Sequence, residues 1–433
     1  MVREHDDRRG LRLPPWAGRN FRLLVGASFV TGIGNSGATI AAAFAVIESG
    51  GSATDVGLVA AARTLAMVVL LLVGGAVADR LPRQRVMAVA NTANAVSQAL
   101  FAALVLTHRA TLWEMAALTA VGGGAAAFFS PAAQGLVMST VDPAHAGPAF
   151  SLYRLATNAS NVGGAALGGA LVAAFGSGWV LALDAAGFAA AAAMRAAIDV
   201  PHVPRESVPG GMLGELRAGW RVVAATSWLW GIVLQFSVVN GMFGAVEAVY
   251  GPLVSREQLG GAGPWGLALA AGGVGTACGA VLMMRWRPRR MLLVGTLGVL
   301  PLALPAVALA LVLPAWALAA VMFTGGVAIE VFAVNWMLAL HQEIPEELMS
   351  RVSGFDWLGS VALSPVALAL AGPAASAFGR AGALWGSAGL IVLLTLAVLL
   401  LPDVRRMERA AAPPVAAPVP APAHDGTVSG PAR

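Results

Sequence analysis

The stretch GGAVADRLPRQRVM, residues Gly74 to Met87, sets an aspartate and three arginines (Asp79, Arg80, Arg83, Arg85) between two long apolar runs. Charge this dense is costly beside hydrocarbon, so the stretch reads as a loop at a membrane face with a spanning helix on either side. The whole chain has the same character. Of its 433 residues 58% are hydrophobic and only 11% are charged, where soluble domains carry about 25% charged residues. Apolar surface on this scale cannot be hidden in a water-facing fold, so the chain is read as a polytopic membrane protein.

A membrane-spanning helix takes about 20 predominantly apolar residues. Twelve stretches reach that length: 21–47, 54–78, 86–107, 112–138, 149–175, 178–198, 222–250, 263–284, 291–313, 315–341, 352–378 and 381–401. All 27 basic residues are arginine, and they cluster between these runs, as orientation signals do, rather than forming a nucleic-acid surface. With the N-terminus placed in the cytoplasm, twenty-two arginines fall inside and three outside (Arg109, Arg256, Arg380). Both termini are therefore expected in the cytoplasm. Trp113, Trp179, Trp265, Trp316 and Trp385 would then form an outer aromatic belt, and Trp220, Trp228, Trp230 and Trp286 an inner one. Cys278 is the single cysteine, so disulfides are not expected to contribute.

The spans divide evenly. Residues 1–20 read as a cytoplasmic N-terminal segment and 21–198 as a six-helix bundle. A central cytoplasmic loop follows over 199–221, then a second six-helix bundle over 222–402 and a disordered Pro/Ala-rich cytoplasmic tail over 403–433. Faint internal repetition supports a duplication. DRLPRQRV after the second span aligns with RWRPRRML after the eighth when Pro82 lies on Pro288. VDPAHAGPAFSLYR parallels IPEELMSRVSGFDW with Pro143 on Pro345, which sets Arg154 on Asp356. The expected fold is all-α and integral to the membrane: twelve transmembrane helices in two six-helix bundles.

The opening stretch also resembles the signature that the major facilitator superfamily carries after its second helix, G-x-x-x-D-R-x-G-R-[RK]. Gly75, Asp79, Arg80 and Arg83 match it, while Pro82 stands where a glycine is usual and Gln84 where a basic residue is usual. The resemblance covers residues 20–402. It is nearest in wording to bacterial macrolide and siderophore (enterobactin-type) exporters, through GSATDVGLVAAART, FFSPAAQGLV, GWVLALDAAGF and EELMSRVSGFDWLGSVALSP. GGAALGG on the fifth span is similar to the superfamily's antiporter motif G-P-x-x-G-G, with Ala165 in place of the proline.

What this resemblance implies is a monomeric secondary transporter of the cell membrane. It would export small amphipathic molecules (drug, macrolide or siderophore type) by alternating access, driven by the proton gradient with no cofactor and no nucleic-acid partner. An importer of the same fold is the alternative, ahead of a membrane sensor or an enzyme. The six histidines lie in loops, tails or span ends, and no paired catalytic groups share a depth. The resemblance also implies that the loop at Asp79 latches the two bundles on the cytoplasmic side, with Asp356 as a cross-bundle partner for Arg80 or Arg83.

Ionisable groups inside the spans are functional candidates by default, because burying them in hydrocarbon is costly. Glu330 lies near the midplane of the tenth span and reads as a proton-titrating or cation-binding carboxylate, or as a structural group met by a neighbouring helix. Asn335 and Trp336 would extend its polar wall if they share its face. Arg63 either lines a cavity or forms a structural salt bridge, for which Asp184 is a candidate partner. Glu247 reads equally as an outer gate or a solvated helix end, and Glu48 as interfacial. Asn35, Gln235 and Asn240 are substrate-contact candidates set against ordinary interhelical hydrogen bonding. Gly164 and Gly168 share a face of the fifth span, with Gly169 beside them, and read as close helix packing or a hinge.

Overall fold

The computed structural model describes residue 14, residues 16–200 and residues 220–409. Most of the central loop and most of the tail lie outside the described residues. The described chain is all-helical, with ten helical stretches long and apolar enough to cross a membrane.

The first half contains α1 (Arg19–Glu48), α2 (Ala53–Arg80), α3 (Arg83–Leu106), α4 (Leu112–Ser139), α5 (Ala146–Phe175) and α6 (Ser177–Ala196). The second half begins with α7 (Ser227–Ala245), α8 (Ala262–Arg285), α9 (Met291–Leu297) and α10 (Leu304–Ala310). It continues through α11 (Ala315–Glu343), α12 (Glu346–Val361), α13 (Ser364–Val398) and the short α14 (Pro402–Arg406).

Four expected spans are remodelled. The ninth is broken into α9, a 3₁₀ turn at Leu300–Ala303 and α10, because Pro301 and Pro305 offer no backbone N–H to the helical ladder. The seventh runs past α7 through π-helical turns at Val246–Tyr250 and Ser255–Leu259. The last two are run together across α12 and α13, and the break between them falls at Gly379, whose φ of 71° only glycine adopts without strain.

Small residues set the packing. Within the first half, α5 crosses α1 with Gly164 against the backbone of Ile33 and Gly168 against Gly37. Gly123 of α4 lies on the backbone of Arg63, which joins α4 to α2. Between the halves, α5 packs on α8 and α2 packs on α13. Gly169 meets Gly266 and Ala262, Gly57 meets Leu368, and Gly372 meets Thr54. These cross-half approaches crowd toward the end where α1 turns into α2, opposite the chain termini. Close backbone approach of this kind is how apolar helices associate when water supplies no hydrophobic drive.

Two expected aromatic anchors are corrected. Trp265 is fully buried, its ring packed over Gly251, and Trp228 is buried against Trp336. Trp113, Trp179, Trp316 and Trp385 stand exposed as an anchoring belt requires.

Candidate functional site

A cavity of about 400 Å³ lies between the two halves. Apolar side chains form most of its wall, among them Val56 and Val59 from α2 and Val361 and Leu368 from α12 and α13. Its charged lining groups are Arg63 from the first half and Glu247 from the second. Asn240 borders it and donates from Nδ2 to the Ser360 carbonyl at 2.9 Å, while Trp357 supplies an aromatic face.

Arg63 is held by its own half. Its Nη2 donates to Asn35 Oδ1 at 2.7 Å, and the charge of Asp184 lies within electrostatic reach. Asp184 is buried on α6, where its Oδ2 accepts from Gln98 Nε2 at 2.7 Å and its Oδ1 has no partner among the described residues. Arg63, Asn35 and Asp184 thus come together as one polar cluster. Arg63 also borders a second cavity of about 260 Å³ inside the first half, lined by Asn35, Asn91, Asn94, Asn161 and Tyr153. The guanidinium is a partition between the mostly apolar cavity at the seam and the more polar one inside the first half.

Glu247 occupies the π-helical turn Val246–Tyr250, and the Tyr250 hydroxyl donates to the Ala371 carbonyl at 2.7 Å, tying that turn to α13. Single π turns inside α-helices are concentrated at functional sites. The sequence carries no recognisable mark of this turn, so Glu247 could be read only as a gate or a helix end. In the structure it lines the cavity.

Glu330 of α11 packs beside Gly279 of α8 and lies in electrostatic reach of Arg154 on α5, across the halves but without an ion-paired contact. Asn335 does not share its face. It is fully buried, donating from Nδ2 to the Val331 carbonyl at 2.8 Å and approaching the Met283 sulfur. Trp336 also turns away from Glu330, into an aromatic stack with Phe332 and Phe236. Gln235 is buried against Thr395, a structural bond within the second half.

Asp356 is engaged at home. It accepts from Trp336 Nε1 at 3.0 Å, and no ion pair joins it to Arg83 among the described residues. Gly75, Asp79 and Arg80 close α2, and their side chains lie outside the described residues. Arg195, counted in the sequence as an orientation signal, is fully buried at the end of α6. It donates from Nη2 to Ser28 Oγ at 3.2 Å and lies 4.5 Å over the Phe129 ring.

Paired bundles around a charged, mostly apolar cavity describe a transporter of two repeats, and a family model for the Major Facilitator Superfamily matches residues 24–360. The chain belongs to the Major Facilitator Superfamily. The multidrug efflux pump Tap of Mycolicibacterium fortuitum is 28% identical to this superfamily member over 406 residues, covering 90% of this chain and 98% of that protein. The enterobactin exporter EntS of Escherichia coli O1:K1 / APEC is 28% identical over 357 residues, covering 79% and 82%. The crystal structure of the nucleoside transporter NupG superposes with a TM-score of 0.69 over 88% of this chain and 98% of that one. At 13% identity the NupG likeness speaks for the facilitator fold alone.

Proposed function

We propose that this facilitator is a secondary active exporter of small amphipathic molecules that works by alternating access in the cell membrane. The observation that carries the reading is the cavity between the halves, with Arg63 and Glu247 on an otherwise mostly apolar wall. The similarity to Tap and EntS supplies the outward direction.

Twelve crossings complete the architecture. The 47-residue stretch Val352–Val398 would be about 70 Å long as one helix, over twice the roughly 30 Å of bilayer hydrocarbon. It divides at Gly379 into two crossings, and the 30-residue α5 adds the remaining one. The arginine distribution supports termini on the cytoplasmic side, which makes the glycine-packed end of the interface the outer one. The half-to-half attraction of Arg154 and Glu330 then lies toward the cytoplasm.

The proton gradient drives the cycle without a cofactor, and the chain works as a monomer in the bilayer. Glu330 is the carboxylate whose protonation breaks its attraction to Arg154 and frees the two halves to rock. Drug accumulation in cells expressing the wild type or Glu330→Gln, with and without an uncoupler, tests the reading. Export predicts low accumulation only with the energised wild type. Accumulation indifferent to both protein and uncoupler would overturn it.

A further inference from the structure

We propose that the crevice between α2 and α3 holds one anionic phospholipid of the cytoplasmic leaflet, with its phosphate on Arg85. The proposal goes beyond the export reading and takes from it only which end of the bundle faces the cytoplasm.

The turn at Leu81 and Pro82 joins α2 to α3, which scarcely touch beyond it, while α4 packs against both. The gap they leave is a cavity of about 650 Å³ with α4 as its floor. Small residues such as Ala117 and Gly124 keep that floor low, and Val89 and Ala93 of α3 form one wall. Leu70 of α2 leans over Gly124 and closes the other side. Val89 and Val121 are 69% and 44% exposed, so the crevice opens sideways to the bilayer rather than into the protein.

Its length fits one leaflet. From Phe128 to Ala117 the floor covers about 16 Å of α4 at 1.5 Å per residue. Half of a bilayer's hydrocarbon is about 15 Å. An acyl chain laid in the crevice therefore reaches from headgroup level to the midplane.

The charge sits at one end. Among the described residues Arg85 is the one ionisable group on the lining, in the first turn of α3. Its side chain is exposed and has no hydrogen bond or ion pair among the described residues. No acidic residue occurs in α3, and Glu114 of α4 lies at the opposite end, closed on Thr111 in a capping box. The start of α3 also has no side-chain cap, and free N–H groups at a helix start attract phosphate. Apolar walls alone would accept any acyl chain. The arginine makes the choice, because basic pockets between helices at the cytoplasmic surface select anionic headgroups. Phosphatidylcholine carries its own cation beside the phosphate and gains less from Arg85.

The test titrates the purified full-length protein in detergent with phosphatidylglycerol or phosphatidylcholine of the same chains, followed by native mass spectrometry. The wild type should retain one phosphatidylglycerol about fivefold more tightly than phosphatidylcholine, the factor that roughly 1 kcal/mol per surface arginine supplies. Arg85→Gln should erase that preference, Arg85→Lys should keep most of it, and Arg109→Gln at the far end of α3 should leave it intact. Ala93→Trp, at an exposed position on the crevice wall, should weaken both lipids together. Phosphatidylglycerol with a photoreactive group in mid-chain should label the wild type around Val89 and Val121. That labelling locates the lipid whether or not a variant folds.

Equal retention of the two lipids, a preference that survives in a folded Arg85→Gln protein, or labelling confined to other helices would each overturn the proposal. So would full competition by glycerol phosphate, which makes Arg85 a plain anion site. A dimer of the chain that masks the crevice and is released by Ala93→Trp would overturn it too. The two readings fail separately, since lipid retention is read on the resting protein. A chain that keeps phosphatidylglycerol but exports no drug loses the export reading alone. One that exports without the lipid preference loses this site alone.

Discussion

Arg63 on α2 reaches α1, where its Nη2 donates to the Oδ1 of Asn35 at 2.7 Å, while Asp184 on α6 sets a negative charge within its reach. Three helices of one bundle therefore depend on a single guanidinium. Asp184 is buried and bonded to Gln98, so removing it takes away both a buried hydrogen bond and the nearby negative charge that Arg63 feels. Asp184→Leu should lower the thermal midpoint of the purified protein sharply. The double variant Arg63→Leu/Asp184→Leu should recover part of the loss, because residues in one network do not contribute additively. Additive losses in a thermal-shift series would show the two groups to be independent.

The α1–α5 crossing yields a paired test on a single helix. A side chain at Gly168 would collide with the backbone of Gly37, whereas one at Gly163 meets nothing within 4 Å. Gly168→Val should destabilise the first bundle by about 1–3 kcal/mol or more, the usual range for overpacking a tight contact. Gly163→Ala should be neutral or slightly stabilising, since alanine is the better helix former by roughly 1 kcal/mol. Detergent thermostability of the two variants, measured side by side, checks the contrast.

Arg195 separates what a sequence states from what only a fold can state. Hydropathy placed the spans and the arginine clusters placed the loops, because both signals are local and repeated many times along the chain. Whether a given arginine at a span end faces water or turns inward depends on its neighbours, and Arg195 turns inward onto Ser28 and Phe129. Trp265 follows the same logic, since a tryptophan at a span entry is an anchor until Gly251 opens a space that its ring fills. Glu330 and Arg63 were legible as costly charges, and Gly168 as a packing site. The partners were not legible: Asp356 to Trp336, Glu330 to Arg154, and the π turn beneath Glu247 all depend on register between helices remote in sequence.

That buried guanidinium makes its own prediction. Arg195 has no carboxylate partner among the described residues, and two of its nitrogens are buried without an acceptor. Each unpaired buried donor costs about 1–3 kcal/mol. Arg195→Met, which keeps an unbranched side chain shorter by two atoms and removes its charge and its donors, should therefore raise the thermal midpoint. A clear drop instead would mean that the arginine is compensated by a group its surroundings do not reveal.

Among the described residues Arg154 and Glu330 attract each other across the halves without touching, so the attraction should act on the cycle more than on the fold. Reversing either charge alone, as Arg154→Glu or Glu330→Arg, sets like charges against each other across α5 and α11. Transport should then fall about tenfold or more, the factor that roughly 1.4 kcal/mol supplies. Exchanging both residues restores the attraction with its polarity reversed. If the pair works only by holding the halves together, the double variant should regain a substantial part of the rate. If Glu330 also carries the transported proton, the exchange should rescue cross-half contact, read by crosslinking between α5 and α8, without rescuing uncoupler-sensitive efflux. Measuring efflux and crosslinking on the same four proteins separates a latch from a proton carrier.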